Sequence, residues 1–365
     1  MATCQICNQA ANTISRTLGV CLTCIREKPA ESLDITEKAH MQSRAAFGLP
    51  PKPPDDPDGV SCTICVNQCK IPENGTGYCG LRINQGGRLR GVSSTAGRLS
   101  WYHDPLPTNC VGDWVCAGGT GAGYPTYAYC PEAESGYKNL AVFFQACSFN
   151  CLFCQNWHFR EEAKRSAMRS HEEIVADVDR RTSCICYFGG DPSPQLPYSL
   201  KVSREALDQN EDRILRICWE TNGSMRPDLL DEIMELAIDS GGCVKFDLKA
   251  WDSNLHMALT GITNKRTLDN FARAAEWADR RLTPPPLIAS SLLVPGYIDE
   301  QEINVIAKFV ADINPNIPYS LLAFHPQFYM SDLPVTSKNL AVRCYQAAKA
   351  SGLSKVRIGN IHLLA

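Results

Sequence analysis

The stretch "NLAVFFQACSFNCLFCQNW", Asn139 to Trp157, joins an apolar run to a loop bearing Cys147, Cys151 and Cys154. The β-branched and aromatic content of "NLAVFFQA" argues for a buried strand. The loop after it offers three thiols at Cys-x3-Cys-x2-Cys spacing and no fourth. An iron–sulfur cube usually takes four thiolates. Three at these offsets can wrap three corners of a [4Fe–4S] cluster and leave one iron open. Catalytic metal sites likewise keep a position for a small molecule. A partial zinc knuckle or three buried thiols is the bland alternative.

Downstream, strand-like and helix-like segments alternate to the C-terminus. "CICYF", "ILRICWE", "CVKFDLK", "PLIASSLLVPG", "PYSLLAF" and "KVRIG" read as strands. Between them, "SHEEIVADVDRR" opens with Ser170 and Glu173 at capping-box spacing, and "SREALDQN" reads as a helix start. "RPDLLDEIMELAIDSGG" carries Pro227 in its first turn and Gly241 near its end. Strands apolar throughout and separated by helices imply a parallel sheet covered by helices. The expected fold is therefore α/β, a partial (β/α)6 TIM-like barrel over residues 137–365, with its site at the C-terminal strand ends.

Those ends carry a series of polar tags. "GGD" (Gly189, Gly190, Asp191) follows the second strand and "ETNG" (Glu220 to Gly223, with Asn222) the third. "DLK" (Asp247 to Lys249) follows the fourth, "VPG" the fifth, and "FHP", with His325, the sixth. Each alone is as well read as a turn, a strand end or a hydrogen-bonded histidine. Their order, one per strand end, is the informative feature.

Upstream lie three further regions. Residues 1–48 hold Cys4-x2-Cys7-x13-Cys21-x2-Cys24, the spacing of a zinc ribbon, followed by a helix-like segment. Rubredoxin-like iron is the alternative occupant. Residues 49–59, "LPPKPPDDPDG", read as a linker. Residues 60–136 are rich in Cys and Gly without a sustained period, an accessory region that would rely on metal for order. There, Cys62, Cys65, Cys69 and Cys79 could hold a second zinc or an auxiliary iron–sulfur cluster. Cys110, Cys116 and Cys130 are either ligands of a further cluster or loose thiols. Cys184, Cys186, Cys218, Cys243 and Cys344 stand in apolar contexts and read as small buried hydrophobes.

Composition bounds the rest. The chain has 365 residues, 44% of them apolar, and a net charge of −3. That balance argues against nucleic-acid binding through a broad basic surface. No apolar run is long enough to span a bilayer, and no signal peptide is evident, so no membrane association and a cytoplasmic location are expected. In that compartment the 19 cysteines point to metal ligation rather than disulfides.

The Cys147-x3-Cys151-x2-Cys154 run with Phe153 before its last cysteine resembles the signature of the radical S-adenosylmethionine (SAM) superfamily. Within it, "CQNW", "ETNG", "FDLKAW", "LLVPGYIDE", "FHPQFYMSDLPVT" and "RIGNIH" look like the pyruvate formate-lyase activating-enzyme-like group, and more narrowly the AmmeMemoRadiSam system enzymes. "CTICVNQCKIPENGTGYCGLR" fits the same group, whereas "DPLPTNCVGDWVC" replaces a shorter link. The resemblance implies a [4Fe–4S] cluster on Cys147, Cys151 and Cys154. It implies SAM held near Phe153, Gly189, Gly190, Asp191, Glu220, Asn222, Asp247, Lys249 and His325. It further implies reductive cleavage of SAM to a 5′-deoxyadenosyl radical that takes a hydrogen atom from a substrate. The substrate is expected to be a protein, with a small molecule as alternative, and the electron donor a flavodoxin or ferredoxin. A non-catalytic iron–sulfur or zinc carrier would explain the cysteines but not the strand-end set.

Overall fold

The computed structural model describes residues 1–365, with the backbone alone for Lys164. Its centre is an eight-stranded sheet. In chain order the strands are β1 (Leu99–Pro105), β2 (Lys138–Phe144), β3 (Thr182–Gly189), β4 (Arg216–Thr221), β5 (Val244–Asp247), β6 (Leu287–Leu293), β7 (Tyr319–Ala323) and β8 (Val356–Gly359). Each pairs with its sequence neighbour, and β2 through β8 run parallel. Crossovers are helical: α3 (Leu196–Asp208), α4 (Pro227–Ser240), α5 (Ser253–Thr260), α6 (Lys265–Ala275), α7 (Glu300–Ile313) and α8 (Lys338–Ala350).

The strands alternate as a sheet with two different faces demands. Ile185 and Tyr187 of β3, Ile217 and Trp219 of β4, and Val244 and Phe246 of β5 are buried toward the helices. The other face carries Cys184, Cys186, Arg216, Cys218, Glu220, Lys245 and Asp247. Helix α4 shows how the sequence makes its crossover. Pro227 takes the first helical position, Leu229, Leu230, Ile233, Met234 and Ala237 are buried, and Gly241 caps the end at φ +82°.

Three sequence expectations need correction. Residues 60–136 contain a regular strand after all: β1 pairs antiparallel with β2, Trp101 opposite Val142, and makes the sheet's edge. "SREALDQN" is not a helix start, because α3 begins seven residues earlier, at Leu196, behind Gln195 and a short 3-10 turn. Ser170 stands at the N-cap of the helix His171–Ala176, but its side chain makes no capping bond, so the capping box is not formed.

The N-terminal residues pack onto this body. The hairpin Ala2–Thr3/Ala10–Ala11, helix α1 (Leu22–Glu27) and helix α2 (Pro29–Ala45) share one hydrophobic core with the sheet and its helices. The Tyr297 hydroxyl accepts from Ser15 N at 3.0 Å and donates to Val20 O at 3.0 Å. Arg26 binds Asp299 and Glu302, and His40 of α2 meets Ala258 O of α5 at 3.0 Å. No helix among the described residues is long and apolar enough to cross a membrane.

Candidate metal and cofactor site

Cys147, Cys151 and Cys154 follow β2 and line one cavity of about 300 Å3. The loop is held from several sides. Asn150 N and Leu152 N donate to Thr260 O and Leu259 O at the end of α5. Ser148 Oγ meets Ser224 Oγ at 2.6 Å. The Asn222 amide donates to Ser148 Oγ at 2.8 Å and lies 3.7 Å from Cys147 Sγ. Burial, then the nearby Asp191 and Cys151, pushes the Cys147 thiol well above its usual range. Burial also takes Cys151 up to about 12, against the pull of Lys249. Burial thus disfavours the thiolate at Cys147 and at Cys151. A positive cluster in the cavity that Cys147, Cys151 and Cys154 line would offset that cost, so the donor set fits one.

Six strands contribute to the same cavity. Gly189, Gly190 and Asp191 border it after β3, Glu220 and Asn222 at the end of β4, and Asp247 and Lys249 after β5. Ser290, Ser320 and Arg357 extend the wall on β6, β7 and β8. Phe153 also lines it, with the Lys249 ammonium 5.6 Å from its ring. Lys249 pairs with Asp247. Burial opposes that ammonium's charge, but Asp247 and Cys151 outweigh it and hold the pKa up. Asp247 Oδ1 is buried without a partner, an orphaned acceptor open to a ligand's hydroxyl or ammonium.

The glycines and Asp191 also hold the turns of the site together. A Cβ on Gly190 would stand 2.1 Å from Ala146 O, and one on Gly189 (φ +105°) would stand 2.6 Å from Phe144 N. Their freedom lets the turn after β3 close against the end of β2, beside the cysteine loop. Asp191 accepts from Asn222 N at 2.8 Å, Ser193 N at 2.9 Å and Thr221 Oγ1 at 2.9 Å. It therefore ties the turns after β3 and β4 together. His325 is exposed, borders no part of this cavity, and has Gln327 Nε2 at 3.4 Å from its Nδ1.

Cys4, Cys7, Cys21 and Cys24 converge, their sulfurs all within 4.8 Å of one another. Cys7 and Cys21 Sγ are 3.8 Å apart. A Zn–S bond of about 2.3 Å in tetrahedral geometry puts sulfurs about 3.8 Å apart. Among the described residues this is the only set of three or more candidate ligands so tightly drawn. Cys62, Cys65, Cys69 and Cys79 lie within electrostatic reach of one another, beside the cysteine loop. The neighbouring Asn67 amide donates to Ser148 O at 2.8 Å, and Val66 N to Ser224 O at 2.8 Å.

Cys110 borders the main cavity, and Cys110 with Cys116 borders an adjoining chamber; half-buried Cys130 lines neither. Sequence reasoning missed Lys245. Its ammonium is buried 2.9 Å from Glu220 Oε1 and 3.0 Å from Cys110 Sγ. The signal was present: "CVKFDLK" alternates, so a lysine two residues before Asp247 had to share its face.

Residues 141–309 match the family model of the radical SAM superfamily. The chain carries a radical SAM domain. An uncharacterized protein of Methanocaldococcus jannaschii is 25% identical over 316 residues, 84% of this chain and 83% of that one. The isethionate sulfite-lyase activating enzyme of Desulfovibrio desulfuricans is 29% identical over 167 residues, 46% of this chain and 49% of that protein. The pyruvate formate-lyase 1-activating enzyme of Escherichia coli is 24% identical over 209 residues, 55% of this chain and 79% of that one. The chain is thus an enzyme with a radical SAM domain, similar over part of its length to these activating enzymes.

Proposed function

We propose that this enzyme binds a [4Fe–4S] cluster on Cys147, Cys151 and Cys154 and SAM in the cavity above it. When bound, the pair supplies a one-electron cleavage that yields a carbon radical able to take a hydrogen atom from a substrate. The observation that carries this reading is the three-thiol loop facing Asp247 and Lys249 across one cavity. The chain's own residues supply orientation and charge. Lys249 stands ready for a carboxylate and the free Asp247 oxygen for a donor. Asn222 gives the Cys147 sulfur a hydrogen-bond donor. Asp191 locks the two turns that border the site.

The sheet, with six strands bordering one cavity, supports the partial barrel as its architecture. The tight N-terminal thiol set supports structural zinc. The Cys62 to Cys79 set, beside Ser148, suits a second metal centre. The names of the relatives favour a protein substrate, and a cluster that gives up one electron calls for a donor such as flavodoxin or ferredoxin. The AmmeMemoRadiSam-like motifs narrow the kinship further. SAM binding tests the reading: D247N and K249M should keep the iron content but lose the change SAM causes in the cluster's electron paramagnetic resonance (EPR) spectrum. A wild-type-like change in both variants would sink it.

A further inference from the structure

A second chamber of about 130 Å3 adjoins the main cavity and shares Cys110, Glu220 and Lys245 with it. Six thiols line it: Cys110, Cys116, Cys184, Cys186, Cys218 and Cys243. Three come from inward positions of two adjacent strands, with Cys186 opposite Cys218 in the β3–β4 register, and a fourth, Cys243, stands directly before β5. The other two come from the segment "DPLPTNCVGDWVC". Ser320 Oγ donates to Val111 O at 2.9 Å, the Trp114 indole donates to Ser320 Oγ at 3.0 Å, and Asp113 pairs with Arg357. This segment closes over the inner face of the sheet.

Packing alone does not account for these side chains. The inside of a barrel-like sheet is normally filled by branched aliphatic residues. Here it holds thiols, open space and a buried ammonium. Lys245 Nζ is 3.0 Å from Cys110 Sγ and 3.3 Å from Cys186 Sγ. Cys218 and Cys243 Sγ are 3.9 Å apart. Thiols from four segments around one space are the donor set of a soft metal centre. A single tetrahedral ion needs three or four sulfurs about 3.8 Å apart, and no such group of three forms here. Cys147, Cys151 and Cys154 likewise form no group of three that tight.

We propose that this chamber is a second iron–sulfur site, its cluster held by Cys110 and Cys116 together with thiolates from β3, β4 and the start of β5, with Lys245 donating N–H···S hydrogen bonds. Such a cluster would stand next to the space assigned to SAM. The site is independent of that assignment, since none of the six thiols belongs to the Cys147 loop.

The test compares anaerobically reconstituted full-length chain with the C110S/C116S variant for iron, sulfide and zinc, and for the EPR signal of the Cys147-loop cluster. The variant should lose about four irons and about four sulfides per chain if the cluster is a cube, or about two of each for the smaller form. The Cys147-loop signal should remain. Unchanged iron and sulfide, or loss of zinc without sulfide, would overturn the proposal. Should the variant not fold, wild-type chain answers by thiol alkylation before and after iron chelation. Labelling of Cys110 and Cys116 should rise on chelation, while Cys344, buried in α8, stays unlabelled. Labelling of Cys110 and Cys116 that ignores iron removal refutes the site.

Discussion

The buried pair Glu134–Arg216 gives the most quantitative test of how the sheet is held. Glu134 lies in the loop before β2, and Arg216 opens β4. The guanidinium meets the carboxylate twice, at 2.8 and 2.6 Å, and the side chains are 0% and 3% exposed. Tyr129 N and Ser183 Oγ donate to the same carboxylate at 2.8 and 2.7 Å, and Arg216 reaches Tyr127 O at 2.8 Å. Removing one partner leaves a buried charge uncompensated, which costs about 3–5 kcal/mol. E134A and R216M should each lose about that in chemical denaturation and melt roughly 4–7 °C lower. The double variant E134A/R216M should lose less than the sum, by about 2 kcal/mol or more, because it leaves no orphaned charge. The pair also sets an acid limb. Burial pushes the Glu134 carboxyl up, but the Arg216 hydrogen bonds outweigh it and hold the pKa down. Its contribution is therefore full above the unfolded carboxyl value of about 4.3 and is lost as pH falls through the lower folded value. E134Q should flatten that limb. Additive losses, or single variants within about 1 kcal/mol of wild type, would refute the reasoning.

Other outcomes follow from the site. G190A drives a Cβ to 2.1 Å from Ala146 O, so it should displace the Cys147 loop and lower reconstituted iron several-fold by chemical analysis; full iron content would count against that packing. N222A removes the donor to Cys147 Sγ, so the cluster's reduction potential should become more negative in an EPR redox titration, since such bonds stabilise the more negative reduced form. An unchanged potential would leave Asn222 a purely structural residue. His40 is buried between Ala258 O and Asn150, and burial takes its pKa down to about 4. Between about 6.5 and that value the unfolded chain binds the extra proton. Stability should therefore fall as pH drops through this window, and H40Q should reduce the slope.

Much of the site was legible because it sits at strand ends. An apolar run followed by "CSFNCLFC", "GGD", "ETNG" or "DLK" announces both the strand and the loop that must face the cavity. What escaped was set by long-range pairing. β1 lies within a Gly- and Cys-rich region of no regular period and becomes a strand only because β2 is there to pair with it. Cys186, Cys218 and Cys243 look like core residues one strand at a time, and only the register of β3 to β5 brings them around one space. Nothing in "GGD" announces that Ser193 N of the same turn and Thr221 and Asn222 N of the next loop all donate to Asp191. His325 follows its strand as the other tags do, yet its loop carries it to the surface.

The central claim is that the three-cysteine loop supports reductive cleavage of SAM. The direct measurement is 5′-deoxyadenosine formed when anaerobically reconstituted chain is reduced with dithionite in the presence of SAM. Wild type should form it, and C147A, C151A and C154A should each form none. Cleavage retained by any of the three variants, or none from a wild-type chain with its iron and sulfide in place, would contradict the account.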